Sequence, residues 1–551
     1  AVDAEEGATT LADGGAVTAQ APTGNVETKH VEALYHDVLT EARVLDPAVG
    51  SGAFLLAAQE VLLDIYMQCI EYFQQLDREG KGWELESRTR DELDKIEESQ
   101  GGPSLYAKRS IILNNLYGVD IDDGAVEICK LRLWLSMVAD IEDEPREVEP
   151  LPNIDFNIRP GNSLIGYLET VDPSGYSKET SPKETKKSTI GDWNVRDRYQ
   201  EISEAIQEHR DATTSEEATK WRKRAEDLIE KYRDDFDSEL LTEFHSAGLD
   251  DINKEDLRDF SPFHWPLEFP YVFKDGGFDV IIGNPPWEVL TSDREEYFTK
   301  YDPEFRTRPK SEKDAKQEEL LEDDEIEAGW EEHQEQRQTL STFITESTLY
   351  ELQSPEIGGQ GKHDLSALFL ERVFDLAKDE SHVSLILPNK IFVGTNASDL
   401  RDHILSKTAL RDIITFENNG IFDIHGQHKF GIITLKNSGT TPILRGTFLQ
   451  DDVSVLERID EIAFDIPLAV LKRYSPRVRI FPQVETREEL ELIKSIIEHP
   501  SMSDEEEEGW YIDIYKEELN RTRDSDRFVE SEEEGDYPVY GGGNIWQYEH
   551  D

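Results

Sequence analysis

Cysteine, methionine and positive charge are the scarce components of this chain. Two cysteines, Cys69 and Cys129, in 551 residues exclude a disulfide scaffold and any Cys-rich zinc module. No His-x-x-x-His and no acidic loop at the calcium spacing occurs, so no metal is expected. Long apolar runs are also lacking. The most apolar stretch, Phe54 to Ile70, is interrupted by Glu60, Asp64 and Gln68 and reads as an amphipathic helix. A membrane span needs roughly 18 consecutive apolar residues, so no membrane partner is expected. With no secretory signal at the start, the composition predicts a cytoplasmic protein of several domains.

The shortage of bases is the strongest compositional signal. Lys and Arg number 58 against 119 Asp and Glu, a formal charge of −61, and the excess runs through almost every segment. Such a surface suits a halophile that accumulates salt. In molar salt, repulsion is screened to about 3 Å and net charge keeps a protein soluble. Under those conditions a negative total charge does not exclude a nucleic-acid partner.

What is present is an alternation of strands and helices. Arg43-Val44-Leu45, Leu116 to Val119, Phe278 to Ile282, Val383 to Leu387, Ile413 to Phe416 and Phe430 to Leu435 read as strands. Helical patterns begin at Ala53, at Ala125 and at Leu365. That rhythm predicts an α/β protein with a doubly wound, mostly parallel sheet, whose ligands bind at the carboxyl ends of the strands. Residues 1–40 read as a flexible lead-in, and residues 41–437 as the main domain. Charged helical insertions interrupt it at about 76–108, 170–262 and 291–360 and read as solvated. Residues 438–551 read as a linker and the start of a further region. Neither end has the look of a natural domain boundary.

Three strand ends carry chemistry. Val44-Leu45-Asp46-Pro47-Ala48-Val49-Gly50-Ser51-Gly52-Ala53 is a strand, a glycine turn and a helix start, where exposed amides meet a ligand. Asp46 can accept from a ligand amine. The turn lacks the Gly-Lys-Ser/Thr of a phosphate loop. Tyr117-Gly118-Val119-Asp120-Ile121 closes the next strand with an acid where a ribose would meet a carboxylate. The usual spacing from the glycine turn is about 20 residues, and here it is far longer, which predicts an insertion between them.

The most specific segment is Ile282-Gly283-Asn284-Pro285-Pro286-Trp287. Two prolines remove two amide donors and leave outward carbonyls with the Asn284 oxygen, all acceptors. Acceptors aimed at an exocyclic amine favour its localised, nucleophilic form. Trp287 adds a flat face on which a planar substrate can stack.

Together these residues resemble the adenine-specific DNA methyltransferases of the gamma arrangement, in particular the large methylases of type IIG restriction–modification and phage-exclusion systems. The resemblance implies the class I, Rossmann-like methyltransferase fold and S-adenosylmethionine as cofactor. It implies that Asp46, Ala48, Gly50 and Gly52 hold the cofactor's methionine end and Asp120 its ribose, with Ile121 against the adenine. It also implies that Asn162, in Pro160-Gly161-Asn162-Ser163, accepts from the adenine amine, at a position where the family often has Asp. Asn284, Pro285, Pro286 and Trp287 become the catalytic motif, Trp287 standing where Tyr or Phe is commoner. Phe422, after Phe416-Glu417-Asn418-Asn419-Gly420, would stack on the other face of the flipped base. The stretches Leu365 to Arg372 and Leu385 to Asn389 also fit the family, and Gly542 to Tyr548 resembles the entry to its target-recognition region. The implied partners are double-stranded DNA and a nuclease or other defence component. Two alternatives stand beside this: methylation of protein glutamine or rRNA guanine amines, and a catalytically incomplete DNA-specificity scaffold.

Overall fold

The computed structural model describes residues 28–99, 101–138, 153–168, 191–212, 214–291, 294–347, 349–353, 363–422, 426, 428–499, 545–546 and 549–550. Residues 1–27 of the lead-in, the first part of the second insertion and most of the stretch before Asp551 lie outside these residues. The rest of the lead-in is not flexible as expected but helical from Thr28 to Leu39, with Tyr35 and Leu39 buried in the core. Contacts divide the chain into two units, Ala1–Leu490 and Glu491–Asp551.

Among the described residues the first unit has nine strands: β1 (Val44–Asp46), β2 (Leu116–Asp120), β3 (Ile158–Pro160), β4 (Phe278–Gly283), β5 (Ala377–Pro388), β6 (Ala409–Phe416), β7 (Phe430–Lys436), β8 (Ile443–Gln450) and β9 (Phe464–Pro467). They lie in the order β3-β2-β1-β4-β5-β7-β6-β8-β9. β1, β2, β3, β4 and β5 pair in parallel, while β7 runs antiparallel between β5 and β6. This is the doubly wound, mostly parallel sheet of the class I methyltransferase fold. The central strands are largely apolar, as strands covered on both faces are, whereas β5 has the exposed Asp379 and Glu380 near its start. The side on which successive strands are added reverses between the parallel strands β1 and β4, so the ligand crevice of such a sheet lies outside the carboxyl ends of those two strands.

Each strand foreseen in the sequence is found; β1 is shifted by one residue from Arg43–Leu45 to Val44–Asp46, and the others are extended by a residue or more. Three were not foreseen. β3 is only three residues long and ends in a proline, too short for an alternating pattern to register. β8 and β9 carry the sheet to Pro467, past residue 437 where the sequence reading ended the main domain.

The helix Ala53–Arg78 starts after Gly52, whose φ of +80° lets the chain turn into it. It is long and apolar enough by composition to cross a membrane, which the interrupted run in the sequence did not suggest. In the fold Leu55, Tyr66, Cys69, Ile70 and Phe73 are buried in a core shared with the helices Ser87–Glu98, Gly102–Asn114 and Asp123–Val138. The insertion at 76–108 is therefore not merely solvated, since Leu85, Leu93, Ile96 and Ala107 belong to that core. The other two insertions pack on each other. Phe244, on the helix Ser215–Ser246, stacks on Phe343, on the helix Asp324–Glu346, with ring centres 3.9 Å apart.

Candidate active site

The site is assembled at the carboxyl ends of β1, β2, β4 and β5. Asp46 ends β1 with its side chain only 1% exposed. Its Oδ1 accepts the amide of Ala48 at 3.1 Å, which closes the turn on itself. Burial, with the Asp120 carboxylate adding to it, pushes the Asp46 carboxyl up to about 7 against the relief given by the Ala48 amide. The next turn residues are drawn onto β2. Val49 N donates to Val119 O at 2.9 Å, and Gly50 N donates to Asp120 Oδ2 at 2.7 Å. Asp120 Oδ1 accepts the amide of Asp122 at 3.0 Å. Each Asp120 oxygen thus holds one backbone amide and keeps a second lone pair for a ligand. The carboxylate joins the glycine turn to β2 across 70 residues of sequence.

Glycine is needed at two of these places. A Cβ on Gly52 would lie 2.6 Å from Cys129 Sγ, and one on Gly283 would lie 2.7 Å from Asp46 Oδ1. The second contact brings the end of β4, and so the Asn-Pro-Pro segment, directly beside Asp46. Burial pushes the Cys129 thiol up to about 12, so it fills space as an apolar group.

Asn162 follows β3. Its amide donates to Ser261 O at 2.8 Å, and its Oδ1 accepts Leu164 N at 3.1 Å inside its own turn. One of its lone pairs is therefore already engaged. Ser163 Oγ donates to Pro47 O at 2.6 Å and ties this turn to the first. Ile121 is 65% exposed and so open to a ligand.

After β4 the character changes. Pro285 is buried and Pro286 exposed. Asn284 Oδ1 and Trp287 Nε1 are both buried with no hydrogen-bond partner among the described residues. Trp287 and Phe422 do come together, as the sequence suggested, but in contact with each other. Their ring centres are 5.8 Å apart at an 85° angle, and Phe430 lies under Trp287 at 6.0 Å and 27°. Asn418 holds Phe422 in place, accepting its amide at 2.8 Å and donating to its carbonyl at 3.1 Å.

Two residues just after β5 were given no role by the sequence: Asn389, which closes the stretch Leu385 to Asn389, and Lys390, which the sequence reading did not single out. Asn389 Oδ1 is a further buried acceptor with no partner among the described residues. Lys390 Nζ donates to Trp287 O at 3.1 Å and pairs with Asp364, which caps the helix Leu365–Leu376. For Asn389 a signal was available, an amide beside a proline at a strand end as at Asn284, though in the reverse order; for Lys390 there was none. Among the described residues no group of acids, histidines and cysteines could hold a metal ion. The stretch Gly542 to Tyr548 lies outside the described residues, except for Ile545–Trp546, which pairs with Glu549–His550.

A family model described as "Eco57I restriction-modification methylase" matches residues 114–318 and 332–422, more than half of the chain. A second, "MmeI, DNA-methyltransferase domain", matches residues 23–181. A "putative type II restriction enzyme and methyltransferase" of Methanocaldococcus jannaschii is 25% identical over 571 residues, covering 95% of this chain and 40% of that protein. The type II restriction enzyme and methyltransferase RM.Eco57I of Escherichia coli is 30% identical over 129 residues, 23% of this chain and 11% of that one. The chain thus spans well under half the length of these curated relatives. Among solved structures, the type IIL restriction-modification enzyme MmeI in complex with DNA is 11% identical, with 83% of this chain and 38% of that one covered and a TM-score of 0.33.

Proposed function

The chain belongs to the Eco57I restriction-modification methylase family, and from that premise we propose that it moves a methyl group from S-adenosylmethionine to the N6 amine of an adenine flipped out of double-stranded DNA. The arrangement of motifs is the gamma one: cofactor turn first, catalytic Asn-Pro-Pro-Trp later. The observation that carries the reading is the buried Asn284 Oδ1, without a partner among the described residues, at the sheet's switch point and three residues before Trp287. A buried acceptor left without a donor costs about 1–3 kcal/mol. Its retention beside a stacking face favours a ligand that brings an N–H.

The residues present fit the cofactor. The Gly50 turn leaves open space where a Cβ would stand, Asp120 has free lone pairs, and Asp46 is a buried carboxyl suited to an ammonium. When bound, S-adenosylmethionine supplies an already electrophilic methyl group, so the protein's share is positioning and amine polarisation. Asn284 Oδ1 and the Pro285 carbonyl accept from the two amine hydrogens and localise the nitrogen lone pair. Trp287 stacks on the base, which a paired adenine can reach only by leaving the helix. Phe422 gives the second face once it parts from Trp287. Asn284 can act without a titrating base, because the proton is lost from the amine after it has become cationic.

The test is transfer of labelled methyl to duplex DNA by the full-length protein, followed by hydrolysis to nucleosides. Label on N6-methyladenine is expected. Label on cytosine, RNA guanine or protein glutamine refutes the adenine assignment, and cofactor binding without transfer favours a DNA-specificity scaffold. The charge of −61 further supports a halophilic source. Circular dichroism should then show unfolding as potassium chloride falls from molar to about 0.1 M, where the Debye length grows to about 10 Å. An unchanged spectrum would refute it.

A further inference from the structure

Beyond Asp120 the carboxyl ends of β2 and β3 open into a cleft of about 330 Å³. One side of it is the expected one, with Ile121, Pro160 and Gly161. The other side comes from the second insertion, through Glu230, Arg258 and Ser261. This wall is fixed to the β3 turn. Ser261 O accepts the amide of Asn162 at 2.8 Å, and Phe263 N donates to Ile165 O at 2.8 Å. A Cβ on Gly161 would fall 2.6 Å from the Phe263 ring, so the two segments are in close contact.

Two side chains on this wall are arranged in ways that packing alone does not require. Arg258 Nε donates to Asp237 Oδ2 at 2.8 Å, and its terminal nitrogens face Glu230 and Asp234, each at 3.7 Å. Carboxylates thus line the edges of the guanidinium, its charge is balanced, and a flat face is what it has left to offer. Asp237 is itself held by His264 Nε2 at 2.9 Å, while His264 Nδ1 accepts the amide of Tyr167. Ser261 is exposed, with φ at +52°, a conformation that is strained for serine and tends to be kept at ligand sites.

We propose that the insertion supplies the second wall of the cofactor's nucleoside pocket, with Arg258 stacking on the purine and Ser261 bonding its edge. The inference rests on the cofactor reading above, since a ribose on Asp120 sends its base toward Ile121 and into this cleft. Guanidinium faces stack on planar π-systems, and Ile121 offers an apolar side chain in the same cleft. The insertion then determines how tightly the cofactor binds and is more than a charged appendage.

Calorimetry on the full-length protein in molar potassium chloride tests this with two ligands: S-adenosylhomocysteine, and 5′-methylthioadenosine, which keeps the nucleoside and lacks the amino acid. Arg258→Lys keeps the charge but removes the planar face, and should weaken both ligands by about five- to tenfold. Ser261→Gly relieves the backbone and should raise Tm, yet weaken both ligands by about fivefold, the scale of one hydrogen bond. Wild-type affinity in Arg258→Lys overturns the proposal. Should Arg258→Lys fail to fold, Ser261→Gly decides alone, and wild-type affinity there overturns it. If Asp120→Ala weakens both ligands while these variants do not, the cofactor reading stands and only this inference falls. If the unaltered protein binds neither ligand, both fall.

Discussion

The two halves of the crevice are finished to different degrees. At the ends of β1 and β2 the carboxylates are already fixed by backbone amides: Asp46 holds Ala48 N, and Asp120 holds Gly50 N and Asp122 N. At the ends of β4 and β5, Asn284 Oδ1, Trp287 Nε1 and Asn389 Oδ1 are buried without partners among the described residues. The closed half is shaped in advance, so a ligand entering it need order little. The open half carries unmet hydrogen-bonding capacity and suits a group that arrives only for the reaction. A methyl donor that stays and a base that visits would make these two different demands.

That contrast can be broken most sharply at Asn284. Asn284→Ala removes an acceptor from the open half and leaves the closed half untouched. Methyl transfer should fall by about 10²–10³, the scale for one preorganised polar group, with cofactor affinity near wild type in calorimetry. Transfer at the wild-type rate would refute the assigned chemistry. Trp287→Ala should also weaken capture of the base, by about 1–3 kcal/mol, and Trp287→Phe should keep much of both. Equal DNA affinity in Trp287→Ala and wild type would remove the stacking role.

The closed half should respond the other way round. Asp120→Ala should weaken cofactor binding by about 1.5–3 kcal/mol, the range for hydrogen bonds to a charged group. It should also loosen the glycine turn, which loses the Gly50 tether. An unaltered dissociation constant would take Asp120 out of the site.

Asp46 gives the subtlest effect. Its carboxyl is raised to about 7 by burial, so it carries a proton in part of the population near neutral pH. A cofactor ammonium beside it would favour the charged form, so binding at pH 7 should release a fraction of a proton. Calorimetry in buffers of different ionisation enthalpy reads this, and heats that do not depend on the buffer would count against the contact. The same group has a consequence for stability. The folded protein holds this proton more tightly than the unfolded chain, so its contribution declines as pH rises from about 4 to about 7. Asp46→Asn should flatten that slope in thermal melts.

How much of this was legible in the sequence follows from how local each signal is. Asp46, Gly50 and Gly52 lie within one turn and Asn284 to Trp287 in another, so their residue types reveal acceptors, tight turns and a stacking face without knowledge of the rest. The pairing of the turns is not local. Gly50 meets Asp120 only because the core of Tyr66, Phe73, Leu93 and Ile111 folds the first insertion away between them. The contacts of Ser261 with Asn162 and of Phe244 with Phe343 join segments about a hundred residues apart, which no periodicity encodes. Nor could residue types alone reveal that Trp287 and Phe422 touch each other.

That aromatic contact has a consequence for how the enzyme would search DNA. With Phe422 against Trp287, the protein's own ring competes for the surface on which a base would stack. The competitor is tethered by Asn418 and is always present, whatever the DNA concentration. A base gains only the difference between its own stacking and the contact it displaces, and apparent affinity is scaled down by the fraction of molecules with the rings apart. Bases that leave the helix by chance at wrong sequences would then be returned more often than they are held. Lasting capture would be reserved for sites where contacts elsewhere on the DNA keep the base out long enough for Phe422 to give way.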